Sequence, residues 1–165
     1  NALAGLQLEA NPGPITVSEN LVCQNGTHYT TIGGGVEGAN TAQVTLDQNI
    51  IYGNGSKMAT DPSASQIALK GAAWRDVKNL WDSSEPPTAV ATEGWILENN
   101  IVVGICGQRL LQYAIVHPSW QDLFVASYQG QQNVWYQSGG TPPSNPACFE
   151  HQGATSVVSE TLSDF

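Results

Sequence analysis

Charged side chains are scarce in this sequence. Asp, Glu, Lys and Arg together make up 12% of the 165 residues, about half the usual share. Only five residues are Lys or Arg, and the formal net charge at pH 7 is −9. Nucleic acids and anionic membrane surfaces both attract basic proteins, so this charge excludes them as expected partners.

The sequence also lacks a long apolar run, so no membrane-spanning segment is expected. It begins "NALAGLQLEANPGP", with neither an initiator Met nor a signal peptide, which predicts a processed, mature form of a secreted protein. Two acceptor motifs for N-glycosylation point to the same compartment, one at Asn25 and one at Asn54. We therefore expect an extracellular or cell-wall glycoprotein.

Cysteines number three, which allows one disulfide and one remaining thiol. We predict a bond between Cys106 and Cys148, because it would attach the Gly- and Pro-rich loop before Cys148 to a strand. Cys23 would then be an unpaired, buried thiol, although a bond from Cys23 to either of the others remains an alternative. No C-x-x-C pair is present, and the three His residues are scattered. Neither a metal site nor a cofactor is therefore expected.

The sequence is rich in short segments of alternating apolar and polar residues, with turn-forming residues between them. Glycine contributes 17 residues and proline 9, which favours strands joined by tight turns. The predicted strands are "LQLEA", "ITVSENLVC", "THYTTI", "AQVTLDQNIIY", "QIALKG", "NVWYQ" and "ATSVVSETL". They predict one all-β domain over residues 1–165, an antiparallel β-sandwich or barrel of about 8–10 strands with at most one short helix.

Two hairpins are expected in the middle of this domain. In "GWILENNIVVGIC" the residues Glu98, Asn99 and Asn100 would form the turn, with Trp95 and Leu97 on one side of the first arm. In the second hairpin "HPSWQ" would be the turn and "DLFVASY" the returning strand. The expected helix lies at residues 72–87, where Trp74, Val77, Leu80 and Trp81 make a helical stripe.

Catalytic motifs are missing as well. The sequence has no G-x-S-x-G elbow and no phosphate-binding loop, and no pair among its fourteen acids is marked for glycosidase chemistry. Exposed aromatic rings beside amide and carboxylate groups would instead suit sugar binding. The candidate binding residues are Trp120, Gln121, Asp122, Asn133, Trp135 and Tyr136.

The C-terminal half, residues 93–160, resembles a known family. A "GWILENN" hairpin, the later Cys148 and the final Val157–Val158 strand follow the order found in small secreted cell-wall glycoproteins of filamentous fungi, the phialide-protein (PhiA-like) family. This resemblance implies a non-enzymatic protein with a structural role at the cell surface, and it brings no catalytic residues. The alternatives are a carbohydrate-binding, lectin-like module that binds cell-wall polysaccharide or another glycan, and then a glycan-acting hydrolase.

Overall fold

The structure is a computed structural model that describes residues 4–26, 34–55, 65–71, 76–77, 88–105, 108–115, 118–138, 149–152 and 157–160. Strands dominate these ranges, and one helix is present among them. The strands are β1 (Leu6–Asn11), β2 (Ile15–Ser18), β3 (Leu21–Cys23), β4 (Val36–Thr41), β5 (Val44–Asp47), β6 (Ile50–Tyr52), β7 (Ser65–Gly71), β8 (Asp76–Val77), β9 (Thr88–Ala89), β10 (Ile96–Glu98), β11 (Ile101–Ile105), β12 (Arg109–Ile115), β13 (Gln129–Gln131), β14 (Val134–Ser138), β15 (Phe149–Gln152) and β16 (Val157–Glu160). The helix α1 spans Pro118–Ser127.

Three long sheets run along the molecule. Sheet A has the order β1-β4-β7-β12-β15-β16, sheet B has β2-β5-β10-β13, and sheet C has β3-β6-β11-β14. The neighbours in sheets B and C are parallel, and so are those in sheet A up to β15. The chain thus visits sheets A, B and C in turn and then repeats the circuit one strand further on. We call each circuit a rung: β1–β3, β4–β6, β7 with β10 and β11, and β12–β14. This is a parallel β-helix of four rungs.

The predicted antiparallel sandwich or barrel is therefore wrong, although the predominance of strands is confirmed. Antiparallel pairing occurs among the described strands only between β15 and β16 and between β8 and β9. Alternation along a strand reports which side chains face inward, but it does not report which strand lies alongside. In a β-helix the partner is the equivalent strand of the next rung, here 29 to 51 residues away along the chain: Leu21 pairs with Ile50 and Ile50 with Ile101, for example.

The two predicted hairpins are also corrected. Strand β10 pairs with β5 and β13, whereas β11 pairs with β6 and β14, so the two arms of the first "hairpin" lie in different sheets. Asn99 and Asn100 turn the chain from sheet B into sheet C, and Asn99 has a left-handed backbone with φ of 56°. A short Asn turn with positive φ serves this corner as well as it would serve a hairpin.

In the second predicted hairpin the turn and returning strand are replaced by helix α1. Proline is well suited to the first position of a helix, where its missing N–H has no partner to lose. Trp120 and Phe124 stand four residues apart on one helical face. Phe124 is buried, and its ring lies 4.8 Å from that of Tyr113 and 5.4 Å from that of Tyr128. The helix is held by this aromatic packing.

The segment expected to be a helix, residues 72–87, lies mostly outside the described residues. Its described part, Asp76–Val77, is strand β8 and pairs antiparallel with β9. The strand predictions "LQLEA", "QIALKG" and "NVWYQ" are confirmed as β1, β7 and β14. "ITVSENLVC" and "AQVTLDQNIIY" each contain two strands separated by a corner, and "THYTTI" lies outside the described residues.

The core fills the space between the three sheets with stacked aliphatic rows. Leu46 and Leu97 are register partners and are both fully buried, as are Ile51 and Val102 in sheet C. Trp95 is also fully buried, and its Nε1 donates a 2.8 Å hydrogen bond to the carbonyl of Thr41. Each rung thus places side chains of similar shape above those of the rung before, which is how a solenoid builds a continuous core.

Candidate binding face on sheet C

The corner between sheets B and C has the same form in every rung. It is always two residues long, and the first residue is left-handed: φ is 57° at Glu19, 55° at Gln48, 56° at Asn99 and 55° at Gln132. The second residue is asparagine in all four cases: Asn20, Asn49, Asn100 and Asn133. A repeated corner holds the strands of sheet C in strict register from rung to rung.

Hydrogen bonds join these four asparagines into a ladder, which we call the corner ladder. The backbone N and Nδ2 of Asn49 both donate to Oδ1 of Asn100 at 3.0 Å. Those of Asn20 donate in the same way to Asn49, and those of Asn100 to Asn133. Nδ2 of Asn100 also donates to the carbonyl of Leu46 at 2.8 Å. Buried amides are stable only when they are bonded in this way, so the ladder fixes the geometry of the corner.

A second ladder lies at the other end of sheet C and includes both predicted glycosylation sites. Asn54 is fully buried, and its Nδ2 donates to the carbonyl of Val22 and to Oε1 of Gln66, both at 3.0 Å. Nδ2 of Asn25 donates to Oδ1 of Asn54 at 3.1 Å and to the carbonyl of Cys23 at 3.0 Å. Glycosylation stays a prediction, but a glycan on Nδ2 of Asn54 would have to displace one of its hydrogen bonds and enter a buried space.

Between the two ladders, the outer face of sheet C presents two rows of apolar and aromatic side chains. We call them together the sheet C face. The first row contains Leu21, Ile50, Ile101 and Val134, and the second contains Cys23, Tyr52, Val103 and Tyr136. Leu21 is 62% exposed, Val134 55% and Tyr136 58%. The exposed large residues of the face offer about 590 Å², if a fully exposed large side chain offers about 200 Å².

This area lies at the upper end of the range for the largest apolar patch of an ordinary monomer, about 300–600 Å², and such patches are often functional. The other two sheets differ. On the outside of sheet A, Ala68 and Gln112 are buried. On sheet B the outward row that includes Ser18, Asp47, Glu98 and Gln131 is polar. Sheet C is thus the one of the three whose described outer face is both apolar and open to solvent.

Tyr52 and Cys23 are neighbours in the second row of the sheet C face. A hydrogen bond between their side chains is the main cause that raises the pKa of Tyr52.

Carboxylates lie beside the sheet C face, across the corner on sheet B. Asp47 accepts hydrogen bonds from Nδ2 of Asn99 at 2.9 Å and from Nε2 of Gln48 at 3.0 Å. These bonds stabilise the charged form and hold the pKa of Asp47 below its usual value. Glu98 accepts a 2.7 Å hydrogen bond from Nε2 of Gln131. Amide side chains therefore donate hydrogen bonds to both of these carboxylates.

The six candidate binding residues lie on different features of the fold. Trp120, Gln121 and Asp122 belong to helix α1, where Trp120 packs against the core. Asn133 is part of the corner ladder, and its Nδ2 donates a 2.7 Å hydrogen bond to the carbonyl of Leu97. Trp135 also packs against the core, whereas Tyr136 points outward on sheet C. Of the six candidates, only Tyr136 therefore belongs to the sheet C face. Its neighbour Trp135 faces inward because side chains alternate along β14.

The structure tests only part of the cysteine prediction. Cys23 is a free thiol, while Cys106 and Cys148 lie outside the described residues, so their disulfide stays a prediction. Within the described ranges no group of three or more His, Cys, Asp and Glu side chains is placed to hold a metal ion. The described part of the chain also contains no helix long and apolar enough to span a membrane.

A sequence signal for this face exists. Four nine-residue segments share the same pattern of alternation, a polar pair ending in Asn, and then three residues of sheet C. They are "ITVSENLVC" at 15–23, "VTLDQNIIY" at 44–52, "WILENNIVV" at 95–103 and "YQGQQNVWY" at 128–136. Their unequal spacing hides the repeat from a search at a fixed period.

Comparisons of the chain with protein-family models, with curated proteins and with solved structures find no match. What the chain can do therefore has to be inferred from the geometry of the β-helix and its surface.

Proposed function

We propose that this chain is a non-enzymatic module of the cell surface that attaches to cell-wall polysaccharide through the sheet C face. The observation that carries the proposal is the pair of in-register rows of exposed apolar and aromatic side chains on sheet C. The secreted, cell-wall location suggested by the sequence belongs to the same proposal.

Polysaccharide surfaces suit such a face chemically. The C–H groups of a sugar ring form an apolar side, and this side stacks on aromatic rings and on aliphatic surface. The strands beneath the face are fixed by the two ladders, so Tyr52 and Tyr136 stand on a rigid support. Little conformational entropy is then lost on binding, which favours contact with a flat, extended ligand.

The carboxylates with described contacts support a role in binding more than one in catalysis. Asp47 and Glu98 accept hydrogen bonds from amide side chains, and Glu37 forms an ion pair with Lys70 at 2.5 Å. Asp47 and Glu98 are register partners on the same outer face of sheet B, whereas glycosidases place two carboxyl groups on either side of the scissile bond. The proposal of a non-enzymatic role rests on these contacts together with the missing catalytic motifs.

Sedimentation of the protein with insoluble chitin or β-glucan tests the proposal. We expect the wild type to bind and the double variant Tyr52→Ser, Tyr136→Ser to bind about tenfold or more weakly, because each stacked ring contributes about 0.5–1.5 kcal/mol. The matched control is Leu123→Ser, Val125→Ser, which removes exposed apolar residues from helix α1 and should bind within twofold of the wild type.

Two results would refute the proposal. One is equal loss of binding in the test and control variants while circular dichroism shows both to be folded. The other is a wild type that binds no polysaccharide but sediments as a dimer, with the dimer lost in the tyrosine variant. The sheet C face would then be a contact between copies of the protein.

A further inference from the structure

The spacing of the two tyrosines on the sheet C face carries information about the ligand. Tyr52 and Tyr136 are in the same row, with Val103 between them as the register partner of both. Neighbouring strands lie about 4.8 Å apart, so the two tyrosines are separated by about 9.6 Å along the axis of the β-helix. A linear array of this kind selects for a linear ligand with a matching repeat.

We infer, on the basis of the proposed function, that the ligand is a neutral β-1,4-linked glycan chain that lies along the axis of the β-helix, with alternate sugars stacked on Tyr52 and Tyr136. In an extended β-1,4-linked chain one sugar residue has about the length of one strand spacing. Successive sugars are also rotated by half a turn, so every second sugar presents the same side. The two-sugar repeat therefore matches the two-rung separation of the tyrosines.

The intervening position fits the same arrangement. Val103 is smaller than either tyrosine and only partly exposed, so it leaves room for the sugar between the two stacked ones. The first row, Leu21 to Val134, lies about 6.6–6.8 Å away along the strands and gives the ligand a parallel apolar track.

Charge restricts the ligand to neutral chains. The eight residues of the sheet C face are apolar, aromatic or a thiol, so they offer an anionic sugar no positive partner. Asp47 lies across the corner with its pKa lowered, and the whole chain has a formal net charge of −9. A polyuronate would be repelled by this field, most strongly at low ionic strength.

A transposed pair of residues tests the spacing directly. The double variant Val103→Tyr, Tyr136→Val keeps the number of tyrosines on the face but moves them from two rungs apart to one. We expect its affinity for a soluble β-1,4-linked hexasaccharide, measured by calorimetry, to fall about tenfold, to that of Tyr136→Val alone. Wild-type affinity should rise steeply between the disaccharide and the trisaccharide, because three sugars are the fewest that can cover both tyrosines.

The outcomes distinguish this inference from the proposed function. Equal affinity of the transposed variant and the wild type would overturn the spacing inference and leave glycan binding intact. Equal affinity for polygalacturonate would overturn the inference of a neutral ligand. If wild-type protein binds no glycan of any length, both fall. Should the transposed variant fail to fold, the length dependence in wild type and in Tyr136→Val decides the matter: the step at three sugars should be present in the first and lost in the second.

Discussion

Asn100 is the residue whose replacement tests the corner ladder most directly. It is fully buried, and its side chain serves four groups: the backbone N and the Nδ2 of Asn49, the carbonyl of Leu46, and Oδ1 of Asn133. Asn100→Ala would leave these groups without that partner. A buried polar group without a partner costs about 1–3 kcal/mol, but Nδ2 of Asn49 keeps its bond to the carbonyl of Val17, and Oδ1 of Asn133 keeps its bond from the backbone N of residue 100.

We therefore expect Asn100→Ala to lower the free energy of unfolding by about 4 kcal/mol, a large fraction of the total for a domain of this size. Urea unfolding followed by tryptophan fluorescence measures this loss, because Trp95 is buried in the core. In a thermal scan the same loss corresponds to a melting temperature lower by roughly 10 °C.

The matched control is the same substitution at the exposed end of the ladder. Asn20 donates from Nδ2 to the carbonyl of Ser18 and to Oδ1 of Asn49, and its backbone N keeps the bond to that oxygen after truncation. Asn20→Ala should therefore cost about 1 kcal/mol or less. Equal losses at Asn20 and Asn100, or a loss at Asn100 within about 1 kcal/mol, would show that the ladder does not hold the rungs together.

Three further results are expected. Gly38→Ala should destabilise the protein by about 2 kcal/mol or more in urea unfolding, because the new Cβ would overlap the buried indole of Trp95; an unchanged midpoint would contradict the packing. Asn99→Gly should raise the pKa of Asp47, followed by NMR titration, because it removes the strongest hydrogen bond to the carboxylate. In the wild type the lowered pKa contributes stability above the unfolded value of about 3.9, and this contribution is lost as the pH falls through the folded pKa. Tyr128→Phe should be nearly neutral at pH 7, since the described part of the chain gives the hydroxyl no partner. In the wild type, burial and then the neighbouring Tyr113 raise the pKa of Tyr128 to about 12. The stabilising effect of this shift is present below about pH 10 and is lost as the pH rises through about 12. The variant should lack this titration, so an ultraviolet titration unchanged from the wild type would count against the assignment.

Sequence reasoning found the strands because their alternation is local. The residues of β1, β7 and β14 alternate clearly enough to be recognised without knowledge of their partners. Pairing is not local, and the pair Asn99–Asn100 has the chemistry of a hairpin turn and of a β-helix corner alike. The distinction depends on the asparagine at the second corner position, which recurs at Asn49 and Asn20. The separations of 51 and 29 residues differ too much for a search at a fixed period.

Helix α1 and the sheet C face were missed for other physical reasons. "DLFVASY" is short and apolar, so the helical pairing of Trp120 with Phe124 competes with an equally good strand pattern. On sheet C, Ile50 and Ile101 look like core residues because apolar side chains are usually buried. Only the fold shows that Ile51 and Val102 are the inward residues of those strands and that their apolar neighbours face solvent.

The corners of the β-helix differ in how much they vary, and this has a consequence for engineering. The corner between sheets B and C is always two residues long, whereas the connections from sheet A to sheet B are 3, 2, 24 and 13 residues long. Rung stacking tolerates this variation because each strand is fixed by the strand below it and not by the length of the preceding connection. The connections from β7 to β10 and from β12 to β13 are therefore grafting positions, where a foreign loop or a small domain could be inserted while the sheet C face keeps its spacing.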